Sequence, residues 1–142
     1  MLRSLVGSEM CIRDRLNLVP GSPQSYLNQF TMVTYYGSPQ GPSLGILGAV
    51  PQYYTNGALR NLRAEYESHV QGGKFIVPTY HIITTVADNY AGPDGDYNHW
   101  LDWGIIQAWL GAAKENGFAV ILDIQPGHAS LDEEFDLSLI HI

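Results

Sequence analysis

Two polar side chains follow an apolar run in the stretch FAVILDIQPGHAS, and they are the residues best placed to do chemistry. Asp123 and Gln125 are separated by one residue, so on a β-strand their side chains point to the same face. A carboxylate inside an apolar strand is costly unless it is paired. We therefore expect Asp123 to be catalytic and Gln125 to contact substrate. The alternative is a structural acid held by backbone amides or by His81.

Imidazole and aromatic side chains near other apolar stretches complete the candidate set. His81, in VPTYHIITTVA, has a side chain suited to proton transfer near neutral pH, so we expect it to be catalytic. A rim histidine satisfied by its neighbours is the alternative. His128 lies in a loop next to a glycine. We expect it to bind substrate together with Tyr35, Tyr36 and Tyr80, whose rings offer apolar area and a hydroxyl group.

Other polar patterns fit structural roles better than a metal or cofactor site. His99 and Asp102 lack a third ligand at metal-binding spacing, and an aspartate suits the start of a helix. GPDGD, residues 92–96, lacks the rest of a calcium-loop pattern and therefore indicates a turn. The sequence contains no GxSxG, Walker A or HExxH motif. We expect no cofactor and no metal.

The charge balance argues against two classes of partner. The chain has 14 acidic and seven basic residues, a formal net charge of −7. Nucleic-acid binding needs a basic surface that replaces phosphate counterions. Binding to an anionic membrane surface also needs a basic surface. No apolar run reaches the roughly 18–20 residues of a membrane-spanning helix. The nine tyrosines and three tryptophans suit either core packing or a cleft that stacks on sugar rings.

The two ends of the chain encode one DNA element in opposite orientations. LSLIHI, residues 137–142, can be encoded by CTGTCTCTTATACACATC. The reverse complement, read from its ATG, encodes MCIRD followed by R or S, which matches residues 10–15. The element resembles the transposon end used in tagmentation libraries. We expect residues 1–15, with the single cysteine Cys11, and residues 137–142 to be adaptor-derived, and such segments are excluded from fold reasoning.

The remaining residues alternate between strand-like and helix-like patterns. Residues 16–29 are rich in proline, glycine and serine, which predicts a linker before the domain. β-Branched and apolar runs predict strands at residues 30–36, 74–87 and 118–122. Apolar residues three or four apart predict helices at residues 57–70, at 99–117 and from 131 onward. Pro78 has no amide donor, so we expect the second strand to end or bulge there.

This alternating order predicts an α/β fold with a parallel sheet and right-handed crossovers. A long loop follows each strand and a short one follows each helix, which is typical of a (β/α)8 barrel with its chemistry on the loops after the strands. A complete barrel needs about 250 residues, so we expect residues 30–136 to be the first three βα units of a truncated TIM-type barrel. An open doubly wound sheet is the alternative, although GSPQGPSLGILG does not open straight into a helix as a dinucleotide-binding loop does.

Three stretches carry a resemblance to a known group of proteins: TYYGSPQGPSLGILG, VPTYHIITTVA and VILDIQPGHASLDEE. They resemble the N-terminal part of a family of uncharacterised bacterial proteins that are described as exported or lipid-anchored, with a glycoside-hydrolase-like barrel. The resemblance implies a barrel fold, a cell-envelope location for the parent protein and a carbohydrate substrate or ligand.

Such a hydrolase needs two carboxylates flanking the glycosidic bond, about 5–10 Å apart. Asp123 would supply one, and the second would lie on strands outside this sequence. We therefore expect the chain alone to be inactive. A structural barrel, or one that binds glycans without cleaving them through Tyr35, Tyr36, Tyr80 and His81, is the alternative.

Overall fold

The computed structural model describes residues 30–70, 73–130, 132 and 134. In chain order, the elements are β1 (Phe30–Gly37), a 3-10 helix (Pro42–Leu44), α1 (Ile46–Ala49), α2 (Gln52–His69), β2 (Phe75–Ala87), β3 (Asn98–Trp100), α3 (Trp103–Asn116) and β4 (Ala119–Ile124). The expected adaptor-derived ends and the expected linker lie outside the described residues. So does most of the third predicted helix, of which Asp132 and Glu134 are described as helical.

The four strands form one mixed sheet with β2 at its centre. Tyr80 of β2 is in register with Tyr35 of β1 and with Val120 of β4, and both pairings are parallel. Further along β2, Thr85 pairs with the antiparallel β3 on one side and with β4 on the other. The α/β class predicted from the sequence is confirmed. The described residues form an open sheet in which the three parallel strands lie side by side in chain order.

The alternation of side chains along each strand gives the sheet two different faces. On β2, Ile76, Tyr80 and Ile82 point to one face and pack against the helices. Their neighbours His81 and Ile83 point to the opposite face, which we call the open face. The buried hydrophobic cluster lies between the sheet and the helices, and contains Val33, Leu47, Leu59, Ile76, Tyr80, Ile82, Leu101, Ile106, Trp109 and Ala113.

Tyr80 is the centre of this core. Its ring has no exposed surface and makes edge-on contacts with Trp109 of α3, at 4.9 Å between centroids, and with Phe118, at 5.3 Å. Its hydroxyl group donates a hydrogen bond to Asn56 of α2. A buried tyrosine needs such a partner for its hydroxyl group, so Tyr80 joins both long helices to the central strand.

The two long helices confirm the amphipathic patterns with shifted starts. α2 begins at Gln52, before the predicted start at residue 57, and buries Thr55 and Leu59. α3 begins at Trp103, after the predicted start at residue 99, and Asp102 caps it by accepting a hydrogen bond from the Ile105 amide. A further helix end was predicted correctly. Gly117 ends α3 in the left-handed conformation that favours glycine, with φ of 67°.

The strands differ from the prediction in two respects. β2 continues through Pro78 to Ala87 and bulges later, between Ile83 and Thr85. β4 pairs with β2 only from Thr79 onward, so at Pro78 the strand has one neighbour and can pass through the proline without breaking a two-sided ladder. The antiparallel β3 was not predicted, because three residues are too few to show a period.

None of the helices among the described residues is both long and apolar enough to cross a lipid bilayer.

The position of Tyr80 predicts a graded loss of stability. Tyr80→Phe removes the hydrogen bond to Asn56 and should lower the free energy of unfolding by about 1 kcal/mol. Tyr80→Ala also removes the ring and should cost about 3–5 kcal/mol. Urea denaturation measures both changes. The control is Tyr53→Ala on α2, where the side chain is 77% exposed and the change should stay within about 0.5 kcal/mol. Equal losses at the two sites would contradict the core position.

The same side chain predicts a loss of stability at alkaline pH. Burial raises the pKa of Tyr80 to about 12, although the charge of Arg60 acts in the opposite direction. An unfolded tyrosine has a pKa of about 10. Because the folded pKa is higher, the contribution of Tyr80 to the free energy of unfolding is fully present below pH 10 and is lost as the pH rises toward 12. We expect the urea midpoint to fall over this window, and to fall less in Tyr80→Phe. An equal fall of the urea midpoint in the wild type and in Tyr80→Phe would show that ionisation of Tyr80 is not the cause.

Candidate functional site

Three of the residues predicted from the sequence meet on the open face. Tyr36 of β1 and His81 of β2 are in register, and Ile121 of β4 is in register with His81. Asp123 is two residues beyond Ile121, so its side chain lies on the same face and further toward the carboxyl ends of the strands. The three side chains Tyr36, His81 and Asp123, which we call the open-face cluster, therefore come from three adjacent parallel strands.

A direct hydrogen bond joins the outer members of this cluster. The hydroxyl group of Tyr36 donates to Oδ2 of Asp123 at 2.9 Å. Partial burial raises the pKa of Tyr36, and the hydrogen bond to Asp123 and the negative charge of its carboxylate raise it further. The bond orients the half-buried carboxylate, which had been predicted to need a partner. Tyr36 also remains 41% exposed, so its ring is accessible from the open face.

His81 lies between these two residues and contacts the tyrosine ring. The ring centroids of Tyr36 and His81 are 4.8 Å apart with an interplanar angle of 76°, an edge-on arrangement. This contact fixes the imidazole against the aromatic ring, and His81 is half-buried. An imidazole held beside a carboxylate–phenol pair has the chemistry of a proton donor or acceptor. The catalytic role of His81 remains a prediction.

Gln125 extends the cluster beyond the end of β4. Its side-chain oxygen accepts a hydrogen bond from the Ala87 amide at 3.1 Å, and its own amide donates to the Thr85 hydroxyl group at 2.8 Å. The Gln125 side chain also interacts with Tyr36. It lowers the pKa of the Tyr36 phenol, whereas Asp123 raises that pKa. Gln125 therefore ties the end of β4 to the end of β2, beside the proposed site.

Two of the predicted contacts lie on the other side of the sheet. Tyr35 packs against the helices at the edge of the core, and Tyr80 is buried at its centre. The structure does not bring them to Tyr36 and His81, because consecutive residues of a strand point to opposite faces. The prediction that Tyr80 contacts substrate is therefore corrected: no part of its side chain is accessible.

The remaining polar candidates lie in the loop after β4, in β3 and at the start of α3. His128 is exposed, and its ring lies 4.5 Å from the ring of Tyr97, a residue that the sequence patterns did not single out. His99, in β3, contacts the Asp88 carboxylate at 3.2 Å between Nδ1 and Oδ2. Asp102 caps α3, so this aspartate has the structural role that its position before a helix indicated. His128 remains a candidate for substrate binding.

Across the described part of the chain, no group of three or more His, Cys, Asp or Glu side chains is arranged to hold a metal ion. The open-face cluster contributes one histidine and one aspartate, with a phenol as the third group. This set suits proton transfer and the binding of hydroxyl groups, since it combines a carboxylate acceptor, a phenol and an imidazole.

Comparisons of the chain with protein-family models, with curated proteins and with solved structures found no match. The functional conclusion therefore depends on the residues of the cluster and on the sheet that positions them.

The hydrogen bond between Tyr36 and Asp123 predicts a change in the titration of the phenol. Asp123→Asn removes the negative charge, so we expect the pKa of Tyr36 to fall toward the ordinary value of about 10. Carbon-13 NMR of tyrosine-labelled protein, with Tyr36→Phe used for assignment, measures this pKa. Asp102→Asn is the matched control, because it removes a carboxylate that caps α3 instead. A Tyr36 pKa unchanged in Asp123→Asn would refute the coupling.

Proposed function

We propose that this chain is part of a (β/α)8-barrel hydrolase of the bacterial cell envelope that acts on carbohydrate. Asp123 is the proposed catalytic carboxylate, and His81 is a proposed proton donor or acceptor. Tyr36, Gln125 and His128 are the proposed contacts to substrate. The observation that carries the proposal is the hydrogen-bonded pair Tyr36–Asp123 on the open face, near the carboxyl ends of β1 and β4, the two parallel strands that flank β2.

The topology supports the barrel part of the proposal. β1, β2 and β4 are parallel and neighbour one another in chain order, as successive strands of a barrel do. α2 and α3 follow β1 and β2 and both pack on the face that carries Tyr80. In a barrel the helices form the outer ring, so the opposite face, which carries Tyr36 and Asp123, would point to the interior.

The position of the cluster along the strands supports an enzymatic role. Tyr36 and Asp123 each lie one residue before the last residue of their strands, Gly37 and Ile124. Barrel enzymes place their catalytic groups at this end, where the loops after the strands surround the substrate. In an open α/β sheet, ligands also bind outside the carboxyl ends of the strands. The proposed site is therefore in a favourable position in either architecture.

The chemistry proposed for Asp123 follows from its contact with Tyr36. The hydrogen bond that Tyr36 donates fixes the orientation of the Asp123 carboxylate. Only one of the two oxygens, Oδ2, accepts from the phenol. The other oxygen can then face a substrate as a nucleophile, as a base or as an acceptor for a sugar hydroxyl group. Glycoside hydrolysis requires a second carboxylate on the other side of the scissile bond, and we assign it to a strand outside this sequence.

A non-catalytic glycan-binding barrel is the second candidate function. It is favoured by the single carboxylate that the open-face cluster contains among the described residues, and by the accessible ring of Tyr36 beside His81. A binding site of this kind would use the tyrosine ring for stacking and the carboxylate for accepting hydroxyl protons.

The barrel proposal is tested first at the level of the gene. Long-read sequencing of the source DNA, without a transposase step and with outward primers inside codons 35–123, should replace residues 1–15 and 137–142 with other sequence. About five further βα units should follow, because a barrel needs eight. Persistence of both ends in the native gene, with true start and stop codons, would overturn the barrel and hydrolase proposals.

The catalytic proposal is tested in the full-length protein recovered in this way. Asp123→Asn should lower the rate of glycoside hydrolysis by at least about a hundredfold, the scale expected for a catalytic acid or base. Tyr36→Phe should lower it by roughly ten- to a hundredfold, because the carboxylate loses a charge-assisted hydrogen bond. Asp102→Asn should leave it unchanged. Tight binding of an oligosaccharide without turnover, unaffected by Asp123→Asn, would favour the non-catalytic alternative.

A further inference from the structure

Two loops at the carboxyl end of the sheet are joined by hydrogen bonds. One is the β2–β3 loop, residues 88–97, and the other is the post-β4 loop, residues 125–130. The His128 amide donates to the Asp96 carbonyl oxygen at 2.6 Å. The Gln125 side chain accepts from the Ala87 amide, just before the first loop begins. The two loops therefore bond through their backbones close to the open-face cluster.

Asn98, directly after the β2–β3 loop, connects three segments through one amide group. Its Nδ2 donates to the Pro126 carbonyl oxygen at 2.8 Å and to Oε1 of Glu134, also at 2.8 Å. Glu134 is only 2% exposed, and a buried carboxylate is costly unless it is hydrogen-bonded. Asn98 thus donates to one oxygen of a buried carboxyl group and to a loop carbonyl through one amide group, so its loss would remove both hydrogen bonds together.

The backbones of the two loops also meet at a point where only glycine fits. Gly127 has φ of 59°, and a Cβ atom placed there would lie 2.3 Å from the Asp96 carbonyl oxygen and 2.6 Å from that of Tyr97. Tyr97 itself has a positive φ of 54°, which non-glycine residues adopt at a cost. A strained residue persists where surrounding contacts over-determine its conformation, and such residues concentrate at functional sites.

The contacts place two rings side by side at the surface. The rings of Tyr97 and His128 are 4.5 Å apart between centroids, with an interplanar angle of 47°. His128 is three residues beyond Gln125, a distance of at most about 11 Å along an extended chain. The post-β4 loop that carries His128 begins directly after β4, two residues beyond Asp123, so the ring pair follows the cluster at the carboxyl end of the sheet.

We propose that Asn98 clamps the β2–β3 loop and the post-β4 loop into one rigid wall, which presents the Tyr97–His128 ring pair to a sugar ring held beside Asp123. The sugar part rests on the proposed function, whereas the clamp does not. Asn98 is a positioning residue in this proposal, and Tyr97 and His128 determine which sugars fit. Because the wall is ordered before the ligand binds, binding does not include the entropy cost of ordering the two loops.

Hydrogen exchange of the 142-residue chain tests the clamp without any ligand. Asn98→Ala should raise the exchange rates of the Asp88 and His128 amides together, by about tenfold, because both loops lose their common support. Gly127→Ala tests the same junction without touching Asn98 and should have the same effect. Gly95→Ala is the matched control. It also has a positive φ, of 87°, but has no atom within 4 Å of an added Cβ.

The result of Gly127→Ala relative to Gly95→Ala keeps the test informative if Asn98→Ala fails to fold. Faster exchange in both loops for Gly127→Ala, and not for Gly95→Ala, supports the clamp. Faster exchange confined to the loop that carries the substitution would overturn it.

Oligosaccharide binding tests the ring pair separately. Binding of cello-, xylo-, manno- and chito-hexaose to the full-length protein is measured by calorimetry for the wild type, Tyr97→Ala, His128→Ala and Asp123→Asn. We expect affinity about tenfold weaker in the two ring variants, with a change in the preferred sugar. Unchanged affinity in both, with binding lost in Asp123→Asn, would overturn the ring platform and leave the proposed function standing. No binding of any probe by the wild type would overturn the carbohydrate proposal and the platform together, while exchange still decides the clamp.

Discussion

The burial of Tyr80 is the constraint on which the arrangement of the sheet depends. Its ring must pack against Trp109 and Phe118, and its hydroxyl group must reach Asn56, so this face of β2 is committed to the helices. Because successive side chains of a strand point to opposite faces, His81 must point to the open face. The register with β1 and β4 carries the same division across the sheet. The polar cluster on the open face is therefore a consequence of the apolar packing on the other.

Much of the fold follows from sequence periodicity, because the long elements have strong patterns. The three parallel strands and the two long helices were predicted from apolar runs and from apolar residues three or four apart. The misplaced helix starts show the limits of this signal. Near Gln52 the sequence has tyrosines and an asparagine that fit a loop as well as a helix, and the backbone of Trp100 is taken up by pairing with Thr85. Non-local pairing of this kind leaves no trace in a local pattern.

The candidate site was predicted in part, and the errors have one physical origin. The second strand was expected to end or bulge at Pro78, and Tyr80 and His81 were both expected to belong to the site. Because the strand continues, alternation separates them, and only His81 joins Tyr36 and Asp123. The pairing of Tyr36 with Asp123 spans 87 positions in the sequence, and the junction between Asn98 and Glu134 spans 36, so neither has a local signal.

The order of the parallel strands has a consequence for how the molecule is assembled. Each parallel strand pairs with the parallel strand that precedes or follows it, and each long helix packs on the two parallel strands on either side of it in sequence. The paired residues are nevertheless about 40–45 positions apart, as in Tyr35 with Tyr80 and Tyr80 with Val120, and non-local pairing of this kind forms slowly. During synthesis β1 and α2 emerge before β2, and the arrival of Tyr80 completes a first packed layer against Asn56. The sheet can then grow by one strand and one helix at a time, with each new unit docking on a surface that already exists.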